Sequence, residues 1–270
     1  MALKEFFGIG GYQRTPEGYL SWQHLTFVTS LMVIMISMAI WLGLKNRNAD
    51  EKKKNRVLIV SAIAIDLLEL FKIILGCVEN KDPLHFVYDL PLFLCSIQLI
   101  ALPIAAFAKG KLREPALDFV TIFAPLGAVL GTYAAGQNYA CYPVLSFDNV
   151  NSGITHCISG FAAFYIMISG LASLKRKNAP YTLIILSSFA VAAYVANIFT
   201  DSNYMFLSRG DGTPYDLVFN FVNGNPVLYP LCVIGLFVVY IGIYYYIYYA
   251  AERAKQGHVQ KNDADQKKTA

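Results

Sequence analysis

Residues 25–44 read LTFVTSLMVIMISMAIWLGL, twenty positions without a charged side chain. About 20 mostly apolar residues are enough for a helix to cross the hydrocarbon core of a bilayer. Similar runs recur along the chain, in which 56% of the 270 residues are hydrophobic and 15% are charged. The runs are continuous, whereas a membrane β-barrel would show short strands of alternating polarity. The sequence therefore predicts an all-α integral membrane protein.

Seven such runs are predicted to span the membrane. They cover residues 23–44, 57–77, 90–108, 117–136, 154–174, 180–201 and 226–251. Lysine and arginine cluster in the loops that follow the first, third, fifth and seventh runs, and the other loops carry little positive charge. Because positively charged loops stay in the cytoplasm, this alternation predicts a polytopic bundle with an outer N-terminus and a cytoplasmic C-terminus.

The two ends of the chain differ from the apolar region. Residues 1–22 mix charged side chains with glycine and aromatic residues, which is typical of a segment at the membrane interface. Residues 252–270 are polar and predict a disordered cytoplasmic tail. We therefore expect an interfacial segment, a transmembrane domain at 23–251 and a tail, in a multi-pass protein of the cell membrane.

Two reactive side chains stand inside the predicted spans. Cys95 ends the motif LPLFLC at 90–95, and His156 lies near the start of the fifth run. Reactive and ionisable groups at membrane depth are costly, so they indicate function. An imidazole can take the proton of a thiol, and this pair suggests acyl transfer through a thioester. The alternative is that Cys95 is an inert small side chain, as most buried cysteines are.

Polar residues of the other spans fall in the same predicted outer half of the bundle. With their companions after the sixth run they are Asp66, Glu69, Gln98, Asn197, Asp201, Asn203 and Tyr204. We predict that they support or line a polar cavity open to the outer half of the bilayer. Glu69 or Asp66 could orient the imidazole. Asn197, Gln98 or Asn203 could donate to a tetrahedral oxyanion.

Three motifs resemble the YwaF family of seven-span bacterial membrane proteins. They are LPLFLC at 90–95, the lone intramembrane His156, and Asn197 followed by NYMFL at 203–207. That family looks related to a vertebrate transmembrane cysteine acyltransferase that moves acyl chains between phospholipids, and more distantly to membrane hydrolases that use Thr and His. The resemblance implies Cys95 as nucleophile, His156 as base, and phospholipids or other acyl lipids as partners. Glu69 falls where the family tends to have a glutamate.

Two positions depart from the family pattern. The family has a histidine two residues before the cysteine, where this chain has Phe93. At about 100° per residue that position lies across a helix from Cys95, so its change leaves the proposed base in place. The family's Gly-Thr before Asn-Tyr-Met is replaced by Asp201 and Ser202. The added carboxylate could shift the substrate class.

Other classes of protein fit less well. A retinal protein needs a lysine in its last span, and none occurs at 226–251. The four histidines are scattered, which disfavours a metal site, and we expect no cofactor. A net charge of +4 gives no reason to expect nucleic acid as a partner. The remaining alternative is a seven-span transporter or ligand-binding protein that uses Asp66, Glu69 and Lys72, a set that could also be an interior ion-pair network.

Overall fold

The computed structural model describes residues 3–269, with the side chains of residues 3–256. The helices in this part of the chain are α1 Leu3–Phe7, α2 Trp22–Asn46, α3 Glu51–Glu79, α4 Gln98–Phe107, α5 Arg113–Tyr133, α6 Gly136–Cys141, α7 Phe147–Ser169, α8 Ala179–Thr200, α9 Tyr215–Phe221 and α10 Leu228–Thr269. No strand occurs within residues 3–269, which confirms the predicted all-α fold. Residues 1, 2 and 270, at the ends of the predicted terminal segments, lie outside the described residues.

Five segments are long and apolar enough to cross a membrane. They are Trp22–Asn46, Arg113–Cys141, Phe147–Ser169, Arg176–Thr200 and Leu228–Gln256. The runs predicted at 57–77 and 90–108 differ from these five. The first lies in α3, which carries charged side chains in its middle, and the second is helical only in α4, an apolar helix of ten residues. The chain is therefore helical with five candidate spans.

Side-chain caps set the starts of three helices. Ser21, Asp50 and Ser146 each accept a hydrogen bond from the backbone N–H three residues further on, at 3.2, 2.7 and 3.3 Å. Such caps satisfy amide groups that the first turn of a helix leaves unpaired. They fix the residues at which α2, α3 and α7 begin.

α7 is the central helix and packs against α2, α3 and α5. Its glycines allow this close packing. A Cβ atom at Gly160 would lie 2.7 Å from the Cβ of Ala128 on α5 and 2.6 Å from the sulfur of Met35 on α2. At Gly153 a Cβ atom would lie 2.8 Å from Leu31 on α2. Small residues at these positions let the helix backbones approach as they do in membrane bundles.

α3 runs antiparallel to the segment that contains α4. The Asn55 amide donates to the Ala106 carbonyl at 2.7 Å, and the Lys72 ammonium pairs with the Asp89 carboxylate at 2.8 Å. Lys72 lies as many residues after Asn55 as Asp89 lies before Ala106, so the two segments keep one register. Asp66 is matched in the same way with position 95.

The chain between Asp89 and α4 forms turns and not a continuous helix. Leu90 has an extended backbone, with φ −59° and ψ 144°, as expected for a residue before proline. The Ile97 N–H then donates to the Phe93 carbonyl at 3.0 Å, and the Gln98 N–H to the Cys95 carbonyl at 3.2 Å. The span predicted at 90–108 is thus interrupted, and Cys95 stands in the turns just before α4.

The amino-terminal segment is docked across the start of α7. The ring of Phe7 packs against those of Phe71 and Phe147, at centroid distances of 5.9 and 5.3 Å. The Tyr12 hydroxyl donates to the Asp148 carboxylate at 2.5 Å. Burial and this carboxylate raise the pKa of the Tyr12 phenol, so it stays protonated and keeps donating at physiological pH.

The carboxyl-terminal segment continues the last helix. α10 continues to Thr269 without a break at residue 252. Residues 250–256 read AAERAKQ, and all of these are strong helix formers, which explains why the helix does not end with the apolar run.

A buried carboxylate joins several elements at the end of the bundle where α7 ends, opposite the docked amino-terminal segment. Asp118 on α5 is 2% exposed, and its Oδ2 accepts hydrogen bonds from the Lys175 backbone N–H, the Asn178 amide and the Tyr245 hydroxyl, at 3.2, 3.0 and 3.5 Å. These donors come from the loop after α7 and from α10. One side chain of α5 therefore holds two other elements in place.

Replacing Asp118 with alanine is expected to lower the melting temperature of the purified protein by several degrees. The substitution leaves buried donors without an acceptor, at about 1–3 kcal/mol for each unsatisfied group. Asp118→Asn keeps an acceptor oxygen and should lose less. Lys52→Ala, at an exposed position, serves as the control. Equal melting temperatures for Asp118→Ala and Lys52→Ala would contradict this account of the cluster.

Candidate active site

Cys95 packs against a glycine of α5. Its Cβ would lie 3.3 Å from a Cβ placed at Gly127. That separation is tighter than ordinary van der Waals contact between carbon atoms, so a larger side chain at position 127 would displace the turns that carry Cys95. The absence of a side chain at Gly127 sets how closely the thiol approaches α5.

His156 contacts α5 one helical turn further along than Cys95 does. A Cβ atom at Gly131 would overlap the Cδ2 and Nε2 atoms of the His156 ring. Gly127 and Gly131 are four residues apart and therefore lie on one face of α5. Cys95 contacts Gly127 and His156 contacts Gly131, so both side chains lie over this face of α5, one helical turn apart. The structure thus brings together the two residues that the sequence predicted as a pair.

A backbone group fixes the tautomer of His156. Its Nδ1 lies 2.6 Å from the carbonyl oxygen of Ser152, one turn earlier on α7. A carbonyl oxygen can only accept, so Nδ1 carries the ring proton and Nε2 presents a lone pair. Nε2 is buried and makes no regular hydrogen bond with any group that the structure describes. His156 is therefore held in the form that a general base requires.

Two further polar side chains near Cys95 are unpaired. Gln98, one turn after Cys95, is 1% exposed, and neither its amide nitrogen nor its amide oxygen has a hydrogen-bond partner within the described residues. The same holds for Oδ1 of Asp66. Buried polar atoms are nearly always paired, so unpaired ones point to a bound water or ligand. Of the polar residues predicted to line a cavity around Cys95, Gln98 and Asp66 have buried atoms without a partner.

The carboxylate of Glu69 belongs to an ion triplet. Lys72 lies between Glu69 and Asp89, with distances from its Nζ to the carboxylate oxygens of 2.9 and 2.8 Å. The His156 ring is oriented by the Ser152 carbonyl, and not by Glu69 or Asp66 as the sequence suggested.

Asn197 and Tyr204 hold the Cys95 segment instead of lining a cavity. The Asn197 side chain donates to the Tyr204 carbonyl at 3.1 Å and accepts from the Tyr204 N–H at 2.7 Å. The Tyr204 hydroxyl then donates to the Val87 carbonyl at 2.6 Å and accepts from the Leu90 N–H at 3.2 Å. Both polar atoms of the Asn197 amide hydrogen-bond with Tyr204, so the side chain is held against the backbone of its own loop. This clamp anchors the chain that leads to Cys95.

Asn203 and Asp201 also differ from their predicted roles. The Asn203 amide donates to the Arg209 carbonyl and the Asp211 carboxylate, and its oxygen accepts from two backbone N–H groups. It closes a loop and has no free donor. Asp201 follows α8 in the left-handed conformation, with φ 53°, and its side chain is fully exposed. A residue in that position points away from the bundle, so Asp201 does not contribute to the site.

Two clefts in the structure lie away from the Cys95–His156 pair. One is an open groove along the surface of α2, lined by residues such as Thr29 and Val33. The other, of about 690 Å³, lies at the carboxyl end of α7. Within residues 3–256, no three His, Cys, Asp or Glu side chains are close enough together to hold a metal ion.

Three residues of this site escaped the sequence analysis: Gly127, Gly131 and Ser152. The two glycines could have been found, because glycines four residues apart in an apolar helix are a known signal for close packing between membrane helices. The role of Ser152 could not have been found, because it depends on a backbone carbonyl group, which every residue has. Only the position of Ser152 four residues before His156 distinguishes it.

The fold and the Cys95–His156 pair define a class: helical membrane proteins with several apolar helices and a thiol beside an imidazole in the interior. The chain belongs to the TMEM164 family of transmembrane proteins, whose family model matches residues 19–250. The matched region includes both Cys95 and His156. No curated protein and no solved structure matches the chain.

Gly131→Ala is expected to slow the alkylation of Cys95 by iodoacetamide at neutral pH by about tenfold, because the added methyl group turns the His156 ring away from the thiol. Peptide mass spectrometry measures the rate at Cys95 alone. Gly235→Ala, in α10 with no atom near the added methyl group, is the matched control. His156→Ala should slow the reaction as much, and a wild-type rate in that variant would refute the interaction.

Asn197→Ala is expected to lower the free energy of unfolding by about 2 kcal/mol, because it leaves the N–H of Tyr204 buried without a partner and removes one of the two donors to its C=O. The midpoint of thermal or denaturant unfolding measures this loss. Asn220→Ala, which removes an exposed amide from α9, is the control. If both variants unfold at the same midpoint, Asn197 does not clamp Tyr204 as described.

Proposed function

We propose that this protein is a membrane-embedded lipid acyltransferase or lipid-ester hydrolase that acts through Cys95 and His156. The observation that carries the proposal is the buried Nε2 of His156, which bears a lone pair, has no hydrogen-bond partner among the described residues and lies over the same face of α5 as Cys95. A thiol beside such an imidazole is the arrangement that nucleophilic acyl transfer needs. The resemblance of LPLFLC to the YwaF family, which looks related to a cysteine acyltransferase, supports the same chemistry.

The reaction has two balanced halves. His156 Nε2 takes the thiol proton, the Cys95 sulfur attacks the ester carbonyl of a lipid, and the carbon–oxygen bond to the leaving alcohol breaks as the imidazolium returns the proton to it. The acyl chain is then a thioester on Cys95. In the second half the imidazole takes a proton from a lipid hydroxyl or from water, and that oxygen attacks the thioester carbonyl. The carbon–sulfur bond breaks, and the imidazolium returns its proton to the sulfur, which restores the thiol.

Gln98 is the residue best suited to stabilise the oxyanion in both halves. Among the three amides predicted for this role, Asn197 and Asn203 are committed to backbone groups, whereas the Gln98 amide is buried and unpaired. It is also one turn from the nucleophile. An amide donor in a site without water stabilises the developing negative charge strongly.

The surroundings supply further support. Cys95 stands before the first turn of α4, and the partial positive charge at a helix start stabilises a sulfur anion. In the proposed topology, α3 and the segment of α4 complete seven spans in the cell membrane, with the N-terminus outside. The pair then lies in the outer half of the bilayer, and its substrates are the acyl lipids of that leaflet.

Cys95→Ser is expected to abolish transfer or release of acyl chains from labelled phospholipid in vesicles that contain the protein. The hydroxyl is a far weaker nucleophile than the thiol in the same place. Cys232→Ser, at an exposed position of α10, is the matched control and should keep wild-type activity. Full activity in Cys95→Ser would remove the basis of the proposal.

Gln98→Ala is expected to reduce kcat by about 100-fold with little change in KM, because an oxyanion donor acts on the transition state and not on the bound lipid. The same vesicle assay measures both constants. A change in KM alone would assign Gln98 to lipid binding.

A second candidate function is a carrier for a cation or for protons. The unpaired Oδ1 of Asp66 and the ion triplet of Glu69, Lys72 and Asp89 favour it. Such charged groups within a membrane bundle are typical of ion pathways. Flux into proteoliposomes that depends on Glu69, lost in Glu69→Gln and kept in Cys95→Ala, would replace the enzyme by the carrier.

A further inference from the structure

A cleft of about 690 Å³ lies between the ends of α2 and α7, the starts of α3 and α5, and α10. Its volume falls within the range of about 300–1,000 Å³ typical of ligand sites. One part of the wall is apolar and includes Leu117, Met167 and Tyr248. The other part is charged and consists of four cations and four carboxylates, namely Arg47, Arg113, Lys175, Lys255, Glu51, Glu114, Asp118 and Glu252. The cleft is separate from the Cys95–His156 pair and has no role in the proposed acyl transfer.

Positive charge is concentrated around this cleft. The surrounding segments 45–56, 109–118, 175–177 and 252–255 contain fourteen lysines and arginines against five aspartates and glutamates. The whole chain, in contrast, has a net charge of only +4. A polar cavity within such a field attracts anions and raises their local concentration.

Some charges in the wall are occupied by the protein itself. Arg113 pairs with Glu51 and donates to Asn55 and to a backbone carbonyl, and Lys175 pairs with Glu114 at 2.8 Å. These contacts make the wall rigid. Arg47 and Lys255 pair with no carboxylate among the side chains of residues 3–256, and of the lining carboxylates Glu252 likewise pairs with no cation there. Two cations of the wall are therefore left for a ligand, against one carboxylate.

The position of the cleft indicates where the ligand comes from. Three candidate spans, Trp22–Asn46, Arg113–Cys141 and Phe147–Ser169, begin or end at its wall. Lipid headgroups lie at the depth where membrane spans end. A phospholipid could therefore place its phosphate between Arg47 and Lys255 while its acyl chains remain in the bilayer.

We propose that this cleft is a binding site for the phosphate group of an anionic phospholipid in the adjacent leaflet. Arginine and lysine pair with the phosphate oxygens, and the apolar part of the wall covers the glycerol and the first carbons of the chains. The site serves to bind a structural or regulatory lipid, on the side of the protein away from the start of α7.

The test compares two double variants that each remove two positive charges from the same end of the bundle. Arg47→Ala with Lys255→Ala alters the cleft, whereas Lys52→Ala with Lys53→Ala alters exposed residues outside it. Dioleoyl phosphatidylglycerol or dioleoyl phosphatidylcholine is added to the purified full-length protein, and native mass spectrometry measures the bound lipid. All four altered side chains are exposed, so both variants should fold.

We expect the wild-type protein and the Lys52/Lys53 variant to bind phosphatidylglycerol equally, and the Arg47/Lys255 variant to bind it about tenfold more weakly. Phosphatidylcholine should bind more weakly than phosphatidylglycerol to the wild-type protein. Equal losses in the two variants would show attraction by diffuse charge and overturn the site. Displacement of the lipid by millimolar inorganic phosphate would assign the cleft to a soluble phosphate instead.

Discussion

The close approach of two segments to one face of α5 is the constraint on which the site depends. Gly127 and Gly131 lie one turn apart, and the missing side chains admit the Cys95 turns at one level and the His156 ring at the next. Packing and reactivity are therefore set by the same two positions. A larger residue at position 127 would displace the Cys95 turns, and a larger residue at position 131 would displace the His156 ring.

The remaining contacts keep these two segments from moving. The Ser152 carbonyl holds the His156 ring from within α7, and the clamp of Asn197 and Tyr204 anchors the chain before Cys95 to α8. A nucleophile in turns is less rigid than one in a helix, so a clamp is needed where the chain leaves regular structure. The polar groups of Gln98 and Asp66 that have no partner among the described residues are then the ones that the proposed reaction can use.

The sequence predicts the helical membrane fold well, because long apolar runs have few alternatives. It also places Cys95 and His156 together, since both are reactive residues in apolar surroundings. It fails where polar side chains hydrogen-bond with nearby backbone groups. Asn197 and Asn203 are of a residue type that can act as a catalytic donor, but their amides hydrogen-bond with the neighbouring loop. Asp201 fails for a different reason, because a left-handed residue at the end of α8 turns its side chain to the exterior. Local hydrogen bonding of this kind has no signature in spacing or hydropathy.

The central claim is that Cys95 carries the acyl chain during the reaction. The most direct measurement is mass spectrometry of the Cys95 peptide after the protein is incubated with phospholipid of defined chain length and quenched with acid. We expect an added acyl mass on Cys95 that hydroxylamine removes. Turnover of the lipid with no acyl group on Cys95 at any time would contradict it.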